Sequence, residues 1–293
     1  ASTAANSAAK VSANPEAERE YQSGIYIWNK RKAGEMPRAL AHFQRAIELD
    51  PGYARAYAGL AFAYMWDGNP SLNETEKTAH MRAAVQRALA LDPAFYDAVY
   101  GRGLSDIALE NYAAAEAAFS RAIEIDAENP AAYYSRGLVY GWMEQYERSA
   151  DDFTRVIERA PDYVLDAYLE RGKALVSAER YDEAMVDFNY VISAERDRVD
   201  AYFNRGTLWF ILGKFSSAIR DFNAVIDRDP TSAQAYAMRG YNYFAEGDYA
   251  AALADYERFE ELTGEMTSSM RDDLRTIRAA LPDETSEPGS DTP

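Results

Sequence analysis

Five glycines, Gly103, Gly137, Gly172, Gly206 and Gly240, recur at separations of 34, 35, 34 and 34 residues, and each stands in the same surroundings. An arginine precedes every one (Arg102, Arg136, Arg171, Arg205 and Arg239), and a tyrosine stands four residues before the last four (Tyr133, Tyr168, Tyr202 and Tyr236), with Val99 in the first. Twelve residues after each glycine is a small side chain: Ala115, Ser149, Ala184, Ala218 and Ala252. Sixteen after it is an aromatic: Phe119, Phe153, Phe188, Phe222 and Tyr256. Two apolar stripes of helical spacing within such a period require one helical hairpin per repeat, stacked into an array. The glycine and the small residue let the two helices approach, and the aromatics fill the wedge between them. Pro161 and Pro230 close repeats, because proline cannot continue a helix.

Two less regular repeats precede these. The first carries Gly24, Ala39, Phe43, Ala46 and Pro51; the second carries Ala61, Ala88 and Pro93, and both have longer segments between their helices. In the second, Asn73 with Glu76 reads as a capping box opening a helix. The reading is a flexible segment over 1–15, seven repeats over 16–264, a polar-faced capping helix over 265–281 and a disordered acidic tail over 282–293.

The pattern resembles the tetratricopeptide repeat, or TPR, along most of the chain. "RALAHFQRAIELDPGYARAYAGLAFAY" is similar to TPR segments attached to some bacterial adenylate cyclases and winged-helix regulators. The resemblance implies an all-α, right-handed superhelical solenoid whose first helices line a concave groove. Helical spacing places positions three before, one after, and four or five after each glycine on one face, opposite the face that packs on the partner helix. That assigns Tyr21, Ile25, Trp28, Ala58, Phe62, Met65, Trp66, Tyr100, Leu104, Ile107, Tyr134, Leu138 and Trp142 to the groove. It continues with Leu169, Lys173, Val176, Phe203, Thr207, Phe210, Ile211, Ala237, Tyr241 and Phe244.

So apolar a face is either a binding surface, packing within the chain, or a contact between copies. The candidate peptide-binding residues are Phe62, Trp66, Tyr100, Tyr134, Leu138, Trp142, Lys173, Phe203, Asn204, Phe210, Tyr241 and Phe244. TPR domains that bind chaperones grip a C-terminal carboxylate with basic and amide side chains at such positions. Here Lys173 and Asn204 stand among aromatics, which argues against a carboxylate clamp.

The arginines before the glycines carry a different expectation. An acid stands fifteen residues after the glycine in four repeats (Asp152, Asp187, Asp221 and Asp255), and Ala118 takes its place in the repeat of Arg102. Acids that track arginines repeat by repeat predict ion pairs within each hairpin, Arg136 with Asp152 for one. The rival reading is recognition of an acidic ligand.

Composition narrows the function. A net charge of −17, from 48 acidic and 31 basic residues, repels phosphate backbones and argues against nucleic-acid binding. Cysteine is absent, which removes disulfides and thiolate chemistry. His42 and His80, the only histidines, fall in different repeats, too few and too far apart for a zinc site. No nucleophile elbow, phosphate loop or calcium loop occurs, and no apolar run is long enough to span a membrane. The Ala/Ser-rich opening "ASTAANSAAKVSANP" suits cleavage by signal peptidase, hence a periplasmic or otherwise exported protein, with a cytoplasmic one as the alternative.

The function expected is therefore that of a non-enzymatic adaptor without cofactor or metal, binding a peptide segment of a protein partner in an aromatic groove. The alternatives are a regulatory or sensory TPR module of a larger bacterial protein and a homo-oligomeric scaffold.

Overall fold

A computed structural model describes residues 12–30, 32, 34–66, 71–160 and 164–280. Among them are fifteen α-helices and no strand. In chain order these are α1 (Pro15–Lys30), α2 (Met36–Leu49), α3 (Ala54–Met65), α4 (Glu74–Leu91), α5 (Tyr96–Ile107), α6 (Tyr112–Ile125), α7 (Pro130–Trp142) and α8 (Tyr146–Arg159). They continue with α9 (Val164–Ser177), α10 (Tyr181–Ala194), α11 (Val199–Ile211), α12 (Phe215–Arg228), α13 (Ala233–Glu246), α14 (Tyr249–Thr263) and α15 (Ser268–Ala280). The fold is the expected all-α solenoid of helical hairpins: α1 packs on α2, α3 on α4, α5 on α6, α7 on α8, α11 on α12 and α13 on α14. The chain divides within α9 into two compact units, residues 1–167 and 168–293.

Within a hairpin the glycine permits contact that any side chain would block. A Cβ on Gly103 would lie 2.5 Å from Cε1 of Phe119, and one on Gly172 would lie 2.6 Å from the same atom of Phe188. The rings so admitted are the best-buried large groups of the chain: Phe43, Phe119, Phe188, Phe222 and Tyr256 have no exposed surface. Burying each contributes roughly 2–3 kcal/mol. Ala115, Ala184, Ala218 and Ala252 are likewise fully buried, and Ser149 donates to the Gly137 carbonyl at 2.7 Å.

The turn between the helices of a hairpin is also built alike. The first helices α5, α7, α9, α11 and α13 each end with a 6→1 backbone bond, such as Asn111 N–H to Asp106 O at 2.9 Å and Lys214 N–H to Trp209 O at 2.8 Å. That geometry puts one residue in the left-handed region. Gly213 and Gly247 fill it in the last repeats (φ 68° and 82°), but Glu110, Glu144 and Glu179 fill it in the others (φ 56°, 58° and 60°).

In unit 1 the Asn73–Glu76 capping box forms as expected at the start of α4, with both bonds at 3.0 Å. Residues 12–14, at the end of the segment read as 1–15, bond to α2 and to the start of α1. Ser12 Oγ donates to Asp50 Oδ2 at 2.5 Å, Asn14 Nδ2 to Leu49 O at 3.1 Å, and Asn14 Oδ1 accepts from the Glu16 amide at 3.0 Å, opening α1. In unit 2, α15 buries Met270, Leu274 and Ile277 in a cluster with Ala252 and Tyr256. The Tyr256 hydroxyl donates to Asp273 Oδ2 at 2.7 Å. α12 stops two residues before Pro230. Residues 1–11, Pro161 and the predicted tail 282–293 lie outside the described residues.

Candidate peptide-binding face

The repeated arginines belong to the scaffold. Arg136 Nε and Nη2 donate to Asp152 at 2.7 and 2.8 Å, Arg171 to Asp187 at 2.8 and 2.7 Å, Arg205 to Asp221 at 2.8 and 2.7 Å, and Arg239 to Asp255 at 2.8 and 2.6 Å. All four aspartates are buried. A bidentate fork of this kind is the strong form of an ion pair, and it leaves no guanidinium for an acidic ligand. Arg102, in whose repeat Ala118 replaces the aspartate, is mostly exposed, and its one ion pair among the described residues is with Asp106 of its own helix, at 3.8 Å.

Sequence reasoning missed a third partner. Arg136 Nη1 donates to Ser120 Oγ (2.9 Å), Arg205 Nη1 to Asn189 Oδ1 (2.6 Å) and Arg239 Nη1 to Asn223 Oδ1 (2.6 Å). Each acceptor sits on the second helix of the preceding repeat. The signal was legible: a polar residue directly after the buried phenylalanine, seventeen after the glycine.

In unit 1 the first helices of the hairpins lie side by side, α1 on α3, α3 on α5 and α5 on α7. Their shared face carries a ladder of rings. Trp66 meets Trp28 edge-on at 6.1 Å, Trp28 stacks on Phe62 at 5.9 Å, and Phe62 meets Tyr100 at 6.4 Å. The Tyr100 hydroxyl continues to Ser135 Oγ on α7 at 3.0 Å. Trp66 is 45% exposed and Trp142, tilted against Tyr112 at 5.5 Å, is 49% exposed. Phe62, Tyr100, Tyr134 and Leu138 are half-buried, Tyr134 resting edge-on against Phe153 at 5.4 Å.

Two residues placed on this face by spacing are not available there. Ala58 is buried, and so is Tyr21, whose ring lies 5.2 Å from Tyr53 and 5.9 Å from Phe43. Arg55 lies over the Tyr21 ring at 4.8 Å, and burial raises the Tyr21 hydroxyl above the usual phenol value. Asp97, in the first turn of α5, is half-buried on the same side. Burial holds its carboxyl above the ordinary aspartate range, against the opposing pull of Arg55.

In unit 2, Phe203 is half-buried, edge-on to Phe222 at 5.6 Å, and Phe210 is 36% exposed beside Phe215. A shallow depression of about 500 Å³ opens at the start of α11, lined by Asp197, Arg198, Val199, Asp200, Phe203, Asn204, Val225, Ser232 and Gln234. The two polar candidates are engaged within the chain: Lys173 Nζ lies 2.7 Å from Glu170 Oε2, and Asn204 Nδ2 donates to Asp200 O at 2.7 Å. Leu169 is buried rather than presented. Tyr241 and Phe244 pack against the cluster formed with α15, and the Tyr241 hydroxyl reaches Thr267 Oγ1 at 3.1 Å.

The histidines take structural roles. His42 Nδ1 meets Glu20 Oε2 at 2.6 Å, and His80 stacks on Tyr64 at 4.9 Å. No group of three or more His, Asp or Glu side chains among the described residues could hold a metal ion, and no helix there is long and apolar enough to cross a membrane.

Comparison with protein families agrees with the repeat geometry. The TPR repeat model matches residues 30–68 and 103–142, and a second tetratricopeptide repeat model matches 134–194, 169–233 and 212–265, together more than half of the chain. The chain belongs to the tetratricopeptide repeat family. As a TPR protein it is a protein-interaction scaffold.

Solved TPR structures share the fold. A tetratricopeptide repeat protein from Parabacteroides merdae is 21% identical, with a TM-score of 0.60 over 89% of this chain and 98% of that one. PilW, a widely conserved type IV pilus biogenesis factor, is 17% identical, with a TM-score of 0.65 over 75% and 98%. YrrB, a TPR protein with an unusual peptide-binding site, is 20% identical, with a TM-score of 0.54 over 67% and 99%. At these identities the likeness is one of fold. No curated protein sequence matches this TPR chain.

Proposed function

We propose that this TPR protein is a non-enzymatic adaptor that holds a peptide segment of a partner protein against the ring-lined face of its first helices. The observation that carries the reading is the ladder Trp66, Trp28, Phe62 and Tyr100, a row of large rings left partly open on one side of unit 1. Tryptophan and tyrosine dominate binding hot spots, because they give wide contact at little entropic cost. A surface of this kind in a soluble array calls for an occupant. Within unit 2, Phe203 and Phe210 show side chains of the same kind. The peptide-binding site of YrrB, a protein of the same fold, supports the reading by analogy.

The test compares partners retained from source-cell extract by the wild-type chain and by a Phe62→Ala, Trp66→Ala double variant of equal helicity. Partners held by the first and lost by the second support the reading. Identical retention would show that the rings serve packing alone. Sedimentation velocity over a range of concentrations separates a contact between copies from binding of another chain.

A further inference from the structure

Asp97, on the ring-lined face of unit 1, has no partner for its carboxylate among the described residues. It sits at the start of α5, one helical turn before Tyr100 and two before Leu104, so the three side chains leave the helix on the same side. It is half-buried, yet no hydrogen bond and no ion pair within 4 Å reaches its carboxylate among the described residues. Arg55 on α3 acts on it only over a longer distance, and that guanidinium is already laid over the Tyr21 ring.

An acid in the first turn of a helix favours the helix dipole, which accounts for finding an acid there. It does not account for one half-buried beside a row of rings without a partner. Asp200, which holds the equivalent place on α11, is exposed and paired with Arg198 at 2.9 Å. Glu18, the equivalent on α1, accepts the Tyr53 hydroxyl. A half-buried carboxylate left without a partner costs stability in the free protein, and a cation brought to it by a partner would recover that cost.

We propose that the segment bound on unit 1 sets a lysine or arginine against Asp97, close in sequence to a bulky apolar side chain seated on Phe62 and Trp66. This rests on the reading of the face as a peptide site and names the chemistry of its occupant. The net charge of −17 adds long-range attraction for such a segment. A segment carrying an acid there would meet Asp97 as a like charge.

A random dodecapeptide library panned on the full chain tests it. The comparison chains are Asp97→Asn and the Phe62→Ala, Trp66→Ala double variant, each first shown to be as helical as wild type. Peptides selected by wild type are expected to carry a lysine or arginine within three residues of an aromatic or large aliphatic side chain. Replacing that basic residue by norleucine weakens binding on the order of tenfold on wild type and about twofold or less on Asp97→Asn. Selected peptides without a basic residue, or an equal loss on both chains, overturn the assignment to Asp97. If such peptides still lose binding on the double variant, the peptide face stands and only its cation preference falls. A library that yields no binder, or binders indifferent to the double variant, overturns both.

Discussion

Arg239 joins two repeats: its Nε and Nη2 grip Asp255 of its own hairpin while its Nη1 donates to Asn223 of the hairpin before, at 2.6 Å. Arg205 does the same with Asp221 and Asn189. Only a guanidinium has donors placed to serve both partners at once, so lysine is no substitute. Arg239→Lys is expected to lower stability by about 1–3 kcal/mol, and Asp255→Ala, which strands a partly buried cation, by about 3–5 kcal/mol. Urea unfolding followed by circular dichroism measures both. A double-mutant cycle between Arg239→Ala and Asn223→Ala should show a coupling of roughly 1 kcal/mol or more; additive losses would mean that the inter-repeat bond is idle.

Three glutamates occupy a backbone conformation that glycine accepts freely. Glu110, Glu144 and Glu179 sit at φ near 60° where later repeats have Gly213 and Gly247. Left-handed backbone costs a residue with a side chain about 1–2 kcal/mol, part of which glycine returns through its freer unfolded chain. Each Glu→Gly change is expected to stabilise by roughly 0.5 kcal/mol, and Gly213→Ala to destabilise by about 1 kcal/mol. Thermal melts of the triple glycine variant and of the alanine variant, moving in opposite directions, check the pair together.

Asn242 is fully buried in α13, and its Oδ1 has no hydrogen-bond partner although Nδ2 donates to Met238 O at 2.6 Å. Other repeats put Val139 and Leu208 at this position, both fully buried. Asn242→Leu therefore removes a stranded acceptor and adds apolar burial, and should stabilise by about 1–2 kcal/mol. A lower melting temperature would mean instead that the amide is needed where it stands.

Asp97 makes stability depend on pH in a definite sense. Burial raises its folded carboxyl above the unfolded value, so its favourable contribution is full below the unfolded value, near pH 4, and is lost as pH rises through the folded one. The Asp97→Asn chain lacks this loss. Its melting temperature should match wild type near pH 3.5 and exceed it increasingly toward pH 7. A difference that stays constant with pH would show that the carboxylate is not desolvated.

The sequence revealed most of the architecture because the hairpin is fixed by close approach. Gly103 against Phe119 leaves no other choice of residue, and the spacing that brings them together is visible in one dimension. The Arg–Asp pairs were legible for the same reason, since in four repeats the acid stands at the same distance after the arginine. The ring-lined face was legible only in part. Helical spacing gives the direction in which a side chain leaves its helix, not how far neighbouring rings overhang it. Tyr21 and Trp28 share a stripe, yet Tyr53 and Phe43 close over the first and leave the second on the ladder. Lys173 and Asn204 read as free polar groups because their partners, Glu170 and the Asp200 carbonyl, lie one turn away on the same helix, where a reading across repeats does not look.

The alanine at 118 gives the array a seam. A linear stack holds together only through adjacent pairs, and each pair contributes its own coupling energy. Between α5 and α6 the guanidinium clasp found in the later hairpins is missing, and Arg102 stays in solvent. Unfolding that spreads along the stack should therefore cross this hairpin more cheaply than the four clasped ones, and amide exchange in α5 and α6 should be faster than in α7 and α8. A tandem array whose joints differ in strength opens in an order written into its side chains, and here an unclasped joint lies in the same unit as the ring ladder.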